Sequence, residues 1–361
     1  LFQKVYFWIS NKLTKNLLKD LKYNEYKSLY NSLTEPKRII LTSHASPDGD
    51  TIGSSLALYH FFRQFGHQVR MVCPNRAPEF LQWLPAYDDI LIFDDSPEEI
   101  KEAVAEAELI FAVDYNAWHR TGNALAEVLD DSKAVKFLID HHPHPDDIFD
   151  AKISDTTASS TAELVFNFIE DGGLHDKINR EIAQCIYVGL LTDTGSFSYS
   201  INSEKPYLIA AALFKTGIDM RSIHQRIYSS FTEGRLRLMG HAISENLVVN
   251  NEMRYAYIFL NKSDLDRFGY QDGDTEGIVN YALGIENIVA AVLLTEKEGK
   301  IRLSFRSKGS FEVNRIAREH FGGGGHKNAA GGNSFESMEK TIQKMNAVFS
   351  EYKDALNDIQ L

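Results

Sequence analysis

The chain has 361 residues, 43% of them hydrophobic and 24% charged, the make-up of an ordinary soluble protein long enough for two cored domains. Its net charge of -12 argues against tight, nonspecific gripping of long nucleic acid, which relies on neutralising many phosphates. Cys73 and Cys185 are the only cysteines, so there is no disulfide framework and no Cys-rich zinc site; their ordinary role is as small buried hydrophobes.

Leu1 to Tyr30 carries Lys4, Lys12, Lys15, Lys19, Lys22 and Lys27 with aromatics between them. It lacks the long apolar core and small-residue cleavage site of a signal peptide, and it reads as a helical lead-in over 1–35. No apolar run approaches the ~20 residues needed to span a bilayer, so the expected location is cytoplasmic with no membrane partner. Arg38 to Leu41 reads as the first strand. The chain then passes His44, Asp48 and Asp50, in the spacing H-x3-D-x-D, and turns through Gly49 and Gly53 into a helix carrying Ile52, Leu56, Tyr59, Phe62 and Phe65. Gln68 to Cys73 and Ile90 to Phe93 read as further strands, followed by a helix ending near Ala107. Leu109 to Val113 is wholly apolar and delivers Asp114; Val135 to Ile139 delivers Asp140, His141 and His142. Strands without polar alternation, separated by helices, predict a mostly parallel, doubly wound α/β sheet covered on both faces.

Helices are predicted over Thr156 to Glu170, Ile182 to Leu191, which leads to Asp193, and Pro206 to Phe214. Gly217 to Leu238 has four arginines and no long apolar run. The domain boundary is placed there: a larger α/β domain over 36–215, a linker over 216–240 and a smaller α/β domain over 241–361. In that last part Arg254 to Leu260, Ile288 to Leu294 and Lys300 to Arg306 read as strands, with a hairpin turn at Glu298-Gly299. Val313 to Phe321 has helical spacing and runs into a loop of four glycines, Gly322 to Gly325, and His326. The stripe Met338, Ile342, Met345 and Phe349 on the last helix reads as core.

Four separate element ends thus supply oxygen or imidazole ligands: His44/Asp48/Asp50, Asp114, Asp140 to His142, and Asp193. A polar turn whose Asp residues cap the next helix accounts for the first cluster alone. It does not account for the repetition, at the strand ends where open α/β sheets gather their active-site groups. Mixed carboxylate and imidazole donors suit manganese and, less exclusively, magnesium, iron, cobalt or zinc.

The stretches SHASPDGDTIGS (Ser43 to Ser54), VDYN (Val113 to Asn116), DHH (Asp140 to His142), TDTGSF (Thr192 to Phe197) and GGGGHKNAAGG (Gly322 to Gly332) occur in that order. By these the chain resembles DHH-family phosphoesterases with a DHHA1 C-terminal domain, particularly the stand-alone oligoribonuclease and phosphoadenosine phosphate phosphatase (nanoRNase) subgroup. The resemblance spans nearly everything after the lead-in; the triplet DHH by itself is a weak signal.

The resemblance implies two divalent cations, manganese first, with magnesium or cobalt as substitutes. One would take His44, Asp48 and Asp114, the other Asp50, Asp114, His141 and Asp193, with Asp114 the bridge and a water between the ions the nucleophile. It implies that His142 contacts the scissile phosphate or assists proton transfer, with Asp140 orienting an imidazole. It also implies that Arg306, Ser307, the glycines Gly322, Gly323, Gly324 and Gly325, and His326 bind a substrate phosphate. Arg120 is a weaker substrate-binding candidate; Tyr115 and Trp118 read as core rather than base-stacking groups. The implied substrates are short single-stranded RNA, cut to nucleoside 5′-monophosphates, and 3′-phosphoadenosine 5′-phosphate, converted to AMP. Competing readings are a soluble cyclic- or linear-dinucleotide phosphodiesterase, a single-strand DNA exonuclease and a non-catalytic nucleotide-binding module. A family pyrophosphatase is disfavoured by the GGGGH signature. A homodimer is left open.

Overall fold

The structure, a computed structural model, describes residue 33 and residues 35–198, 201, 203–229 and 231–360. The lead-in helix expected over 1–35 therefore lies almost wholly outside the described residues. The chain divides into two compact units after Ser229.

The first unit runs β1 (Arg38–Thr42), α1 (Gly49–Arg63), β2 (Gln68–Cys73), β3 (Leu91–Ile92), α2 (Pro97–Glu106), β4 (Leu109–Val113), α3 (Asn123–Asp130), β5 (Val135–Asp140), β6 (Ala151–Ser154), α4 (Thr161–Asp171), α5 (Arg180–Asp193), α6 (Lys205–Phe214) and α7 (Met220–Tyr228). Its six strands are ordered β3-β2-β1-β4-β5-β6 and every neighbouring pair is parallel. Alternate strand residues serve opposite faces. Ile39, Leu41, Phe111 and Phe137 pack with Leu56, Phe62, Phe168 and Ile186 of α1, α4 and α5. Ile40, Ile110 and Leu138 pack with Ile100, Val104, Leu125 and Leu129 of α2 and α3. Burial on both faces explains the unbroken apolar runs. The strand order reverses between β1 and β4, so the segments that follow these two strands flank the switch point where such sheets bind ligands.

The second unit runs α8 (Glu233–Ser244), β7 (Leu247–Asn250), β8 (Tyr255–Leu260), α9 (Lys262–Arg267), α10 (Ile278–Leu283), β9 (Ala290–Lys297), β10 (Lys300–Ser307), α11 (Val313–Phe321), β11 (Gly324–His326), β12 (Ala329–Ser334), α12 (Met338–Glu351) and α13 (Lys353–Asn357). Its sheet is mixed, ordered β11-β12-β10-β9-β8-β7, with β8 and β9 parallel and the other pairs antiparallel. Met345 and Phe349 are fully buried under one face, with Met338 and Ile342 packed alongside.

Three local expectations change. Gly49 and Gly53 belong to α1 itself rather than to a turn before it. The segment read as a linker over 216–240 holds α7 and the start of α8. Part of the predicted glycine loop is strand β11, because Gly323 and Gly325 let it approach the β12 backbone closely: a Cβ at either would meet Gly331 O or Ala329 O at 1.9 and 2.6 Å. Among the described residues no helix is long and apolar enough to cross a membrane.

Candidate metal centre

β1 delivers His44, whose side chain is buried. Its Nδ1 lies 2.9 Å from Ala45 O, which fixes the tautomer that leaves Nε2 as an acceptor. That Nε2 faces Asp48 Oδ2 at 3.9 Å and Asp114 Oδ2 at 3.7 Å. Asp48 caps α1, its Oδ1 accepting from the Asp50 and Thr51 amides at 3.0 and 3.1 Å. The capping alternative is thus met by one oxygen, while the other faces His44.

Asp50, in the first turn of α1, accepts from the Thr161 and Ala162 amides at the start of α4, at 2.6 and 2.9 Å, and from Ser54 Oγ at 3.1 Å. Asp114 follows β4 with φ of 66°, a left-handed conformation uncommon outside glycine. It is held there by its amide, which donates to Ile139 O at 3.0 Å. β5 leads into His141, whose Nε2 faces Asp50 Oδ2, Asp114 Oδ1 and Asp193 Oδ2 at 3.9, 3.7 and 3.5 Å. The two oxygens of Asp114 thus face different groups: Oδ2 faces His44, which clusters with Asp48, and Oδ1 faces His141 and His142, of which His141 clusters with Asp50 and Asp193.

Three glycines make this convergence sterically accessible. A Cβ on Gly49 would meet the Thr192 side chain at 2.4 Å, and one on Gly53 would meet Cys185 O at 2.4 Å. One on Gly189 would meet Ala162 Cβ at 2.6 Å. Their absence lets α1 and α5 touch, so that Asp193, the last residue of α5, arrives beside Asp50 from the first turn of α1.

Separations of 3.5–3.9 Å are too long for hydrogen bonds. They match two ligands that each stand about 2.0–2.2 Å from one cation. Charge points the same way. Burial, then Asp114 and Asp193, push the Asp50 carboxyl well above its ordinary range. Burial and Asp114 push Asp193 up to about 6, against the pull of His141. Burial opposes a charged His141, but Asp193, Asp114 and Asp50 overcome it and hold its pKa up to about 9. Burial likewise opposes ionised Asp114, yet His44, His142 and His141 hold it well below the usual carboxylate range. The carboxylates outnumber the cations available to them, and divalent ions would relieve that imbalance. The donor set fits such ions.

His142 Nδ1 lies 2.7 Å from Asp140 Oδ1, and Asp140 is fully buried with Oδ2 lacking a hydrogen-bond partner. Arg120, in the one-turn segment after Asp114, acts electrostatically on His44, and its carbonyl accepts from the Ala45 amide at 2.7 Å. Tyr115 is buried with its hydroxyl 2.5 Å from Thr42 Oγ1, and Trp118 packs on Phe149. His144 is exposed.

In the second unit, Arg306 on β10 and His326 on β11 both pair with Ala329 of the strand between them. Directly opposed residues share a face, so both belong to one face of the sheet. Ser307 is buried; its Oγ donates to Phe311 O at 2.7 Å and accepts from Asn328 Nδ2 at 2.9 Å. Gly322 caps α11 with φ of 55°, Gly323 and Gly325 are required by the β12 backbone, and a Cβ on Gly324 would meet nothing within 4 Å. Fold geometry therefore accounts for three of these four glycines.

Residues 38–190 match the DHH family, N-terminal domain, and residues 252–352 match the DHHA1 domain. The crystal structure of an exopolyphosphatase-related protein from Bacteroides fragilis superposes with a TM-score of 0.89 at 38% identity, covering 94% of this chain and 99% of that one. The chain belongs to the DHH family. Its curated relatives include the probable bifunctional oligoribonuclease and PAP phosphatase NrnA of Streptococcus mutans, 29% identical over 87% of this chain and 95% of that protein. The Bacillus subtilis bifunctional oligoribonuclease and PAP phosphatase NrnA is 27% identical over 87% and 96%. With its clustered His and Asp donors, the chain is a divalent-metal phosphoesterase of the DHH family.

Sequence reading missed the groups that hold these donors in place. Thr51 Oγ1 and Thr161 Oγ1 both donate to Asp114, and Ser54 supports Asp50. Asn116 Nδ2 donates to Pro143 O at 2.7 Å and steadies the loop after His142. Thr51 and Asn116 sit inside the DHH-family motifs, which was the available signal; Thr161 carries none, because its importance comes from where α4 begins.

Proposed function

We propose that this DHH-family phosphoesterase hydrolyses short oligoribonucleotides to nucleoside 5′-monophosphates and removes the 3′-phosphate of 3′-phosphoadenosine 5′-phosphate. The observation that carries the reading is the division of Asp114 between two ligand groups. His44, Asp48 and Asp114 would hold one divalent cation, and Asp50, Asp114, His141 and Asp193 the other. Manganese is the first choice and magnesium or cobalt the substitutes. When bound, such a pair activates water and neutralises phosphate charge.

The remaining work belongs to the chain. Asp140 Oδ1 engages His142 Nδ1, making Nε2 the atom that meets a phosphate oxygen or passes a proton to the leaving group. Arg306 offers a planar fork suited to a terminal phosphate, and His326 shares its sheet face. Ser307 supports that face from behind. Both activities act on phosphate esters of short nucleotides, the chemistry that such a cation pair serves. Short substrates also suit a chain of net charge -12.

The test is incubation of manganese-loaded protein with RNA two to five nucleotides long and with 3′-phosphoadenosine 5′-phosphate, followed by product separation. Nucleoside 5′-monophosphates and AMP are expected. A folded, loaded protein inactive on both overturns the reading.

A further inference from the structure

Thr161 touches two carboxylates of the centre at once. Its amide donates to Asp50 Oδ2 at 2.6 Å and its hydroxyl to Asp114 Oδ1 at 2.8 Å. On the other side of the same carboxylate, Thr51 Oγ1 donates to Asp114 Oδ2 at 2.5 Å. All four side chains are buried: Thr51 and Thr161 are 0% exposed, Asp50 1% and Asp114 2%.

A threonine hydroxyl has one proton, and both hydroxyls give theirs to Asp114. Each carboxylate oxygen has two lone-pair sites. One site on each oxygen is therefore occupied by a threonine. The same oxygens stand 3.7 Å from His44 Nε2 and 3.7 Å from His141 Nε2 respectively. The terminal torsion of an Asp side chain is broad and soft; two opposed donors remove that freedom. Without them the carboxylate can turn both oxygens toward one ligand group.

We propose that Thr161 and Thr51 are positioning residues that lock the Asp114 carboxylate with one oxygen toward each ligand group, and that Thr161 ties Asp50 into the same frame. This rests on the two-cation reading above and names what enforces the bridge. Neither threonine touches substrate; both act through Asp114.

The test uses the full chain with Thr51→Val and Thr161→Val, which keep shape and remove the hydroxyl, and Thr51→Ser and Thr161→Ser, which keep it. Thr51→Ala and Thr161→Ala serve as second hydroxyl-free variants if either Val protein fails to fold, judged by circular dichroism and cation-free melting. The probe is Mn2+ alone, followed by calorimetry for stoichiometry and affinity and by electron paramagnetic resonance for coupling between the ions. Wild-type protein is expected to take up two coupled ions. The hydroxyl-free variants should bind one ion about 10–100-fold more weakly and show an isolated-ion spectrum at one equivalent, while the Ser variants return to wild-type behaviour. Two coupled ions in the wild type, with folded hydroxyl-free variants indistinguishable from it, overturn this proposal alone. A wild type that takes up no manganese overturns the two-cation reading beneath it.

Discussion

Gly189 passes so close to Asp50 that a Cβ on it would stand 2.7 Å from Asp50 Oδ1. The helix contact that brings Asp193 to the centre therefore depends on a missing side chain. Gly189→Ala should force α5 away from α1 and α4, costing about 1–3 kcal/mol by overpacking and separating Asp193 from Asp50. The check is a lower melting temperature of the cation-free protein, together with weaker Mn2+ uptake. An Ala variant that melts and binds as wild type would show that the helices adjust at no cost.

Asp114→Asn removes the shared charge while keeping a residue that tolerates the left-handed φ of 66°. Turnover should fall by more than about a hundredfold, beyond the loss typical of a group that merely supports a ligand, with the circular dichroism spectrum unchanged. Asp114 is also among the carboxylates that raise His141. The His141 pKa, followed by NMR of its ring in cation-free protein, should therefore drop from its position near 9.

The raised values of Asp193 and His141 contribute to the pH response of the cation-free protein. Asp193 is pushed up to about 6 and His141 to about 9, against ordinary values of about 3.9 and 6.5. In both windows the folded protein binds more protons than the unfolded chain, so stability falls as pH rises. The Asp193 contribution is lost between about pH 4 and 6, that of His141 between about 6.5 and 9. The gap in melting temperature between wild type and His141→Gln should be widest below pH 6.5 and shrink toward pH 9. Mn2+ affinity should rise over the same range, because bound cations displace these protons. A melting gap that widens with pH would contradict the assignment.

The six candidate donors that the fold gathers were legible in the sequence because they follow apolar runs, in the motifs around Ser43–Ser54, Val113–Asn116, Asp140–His142 and Thr192–Phe197. The sheet was legible for the same reason: β1, β4 and β5 are buried on both faces. β12, with the sequence AAGGNS, was not, since it lacks the β-branched and aromatic residues that mark strands; its pairing with β10 is decided by tertiary contact. Thr161 was invisible because a hydroxyl donor is defined by what it reaches, and Asp114 lies 47 residues away along the chain. Gly49 and Gly53 were misjudged as turn residues because a glycine needed for helix contact has the same letter as one needed for a turn.

Arg306 separates charge from shape. Arg306→Ala should cost about 1.5–3 kcal/mol, the worth of a hydrogen bond to a charged group, seen as roughly a ten- to hundredfold loss in kcat/KM. Arg306→Lys should recover little, because an ammonium cannot reproduce the bidentate fork. The loss should appear mainly in KM, as for a group that contributes binding alone. Unchanged kinetics in the Ala variant would remove Arg306 from the site.

Adjacent glycines should respond oppositely to the same change. A Cβ on Gly323 would stand 1.9 Å from Gly331 O, so Gly323→Ala must part β11 from β12 and destabilise the second unit. Gly324 pairs with Gly331, which in turn pairs with Ser304 of β10, and a Cβ there would meet nothing within 4 Å. It lies two residues before His326 on β11, hence on the same face as His326 and Arg306. Gly324→Ala should leave the stability within about 0.5 kcal/mol of wild type, as for an unhindered surface change, yet raise KM for 3′-phosphoadenosine 5′-phosphate by filling space that a phosphate would occupy. The pair is read by melting curves and steady-state kinetics on both variants. A Gly324→Ala protein with wild-type KM would show that the substrate phosphate keeps clear of this face, leaving the glycine cluster a purely structural device.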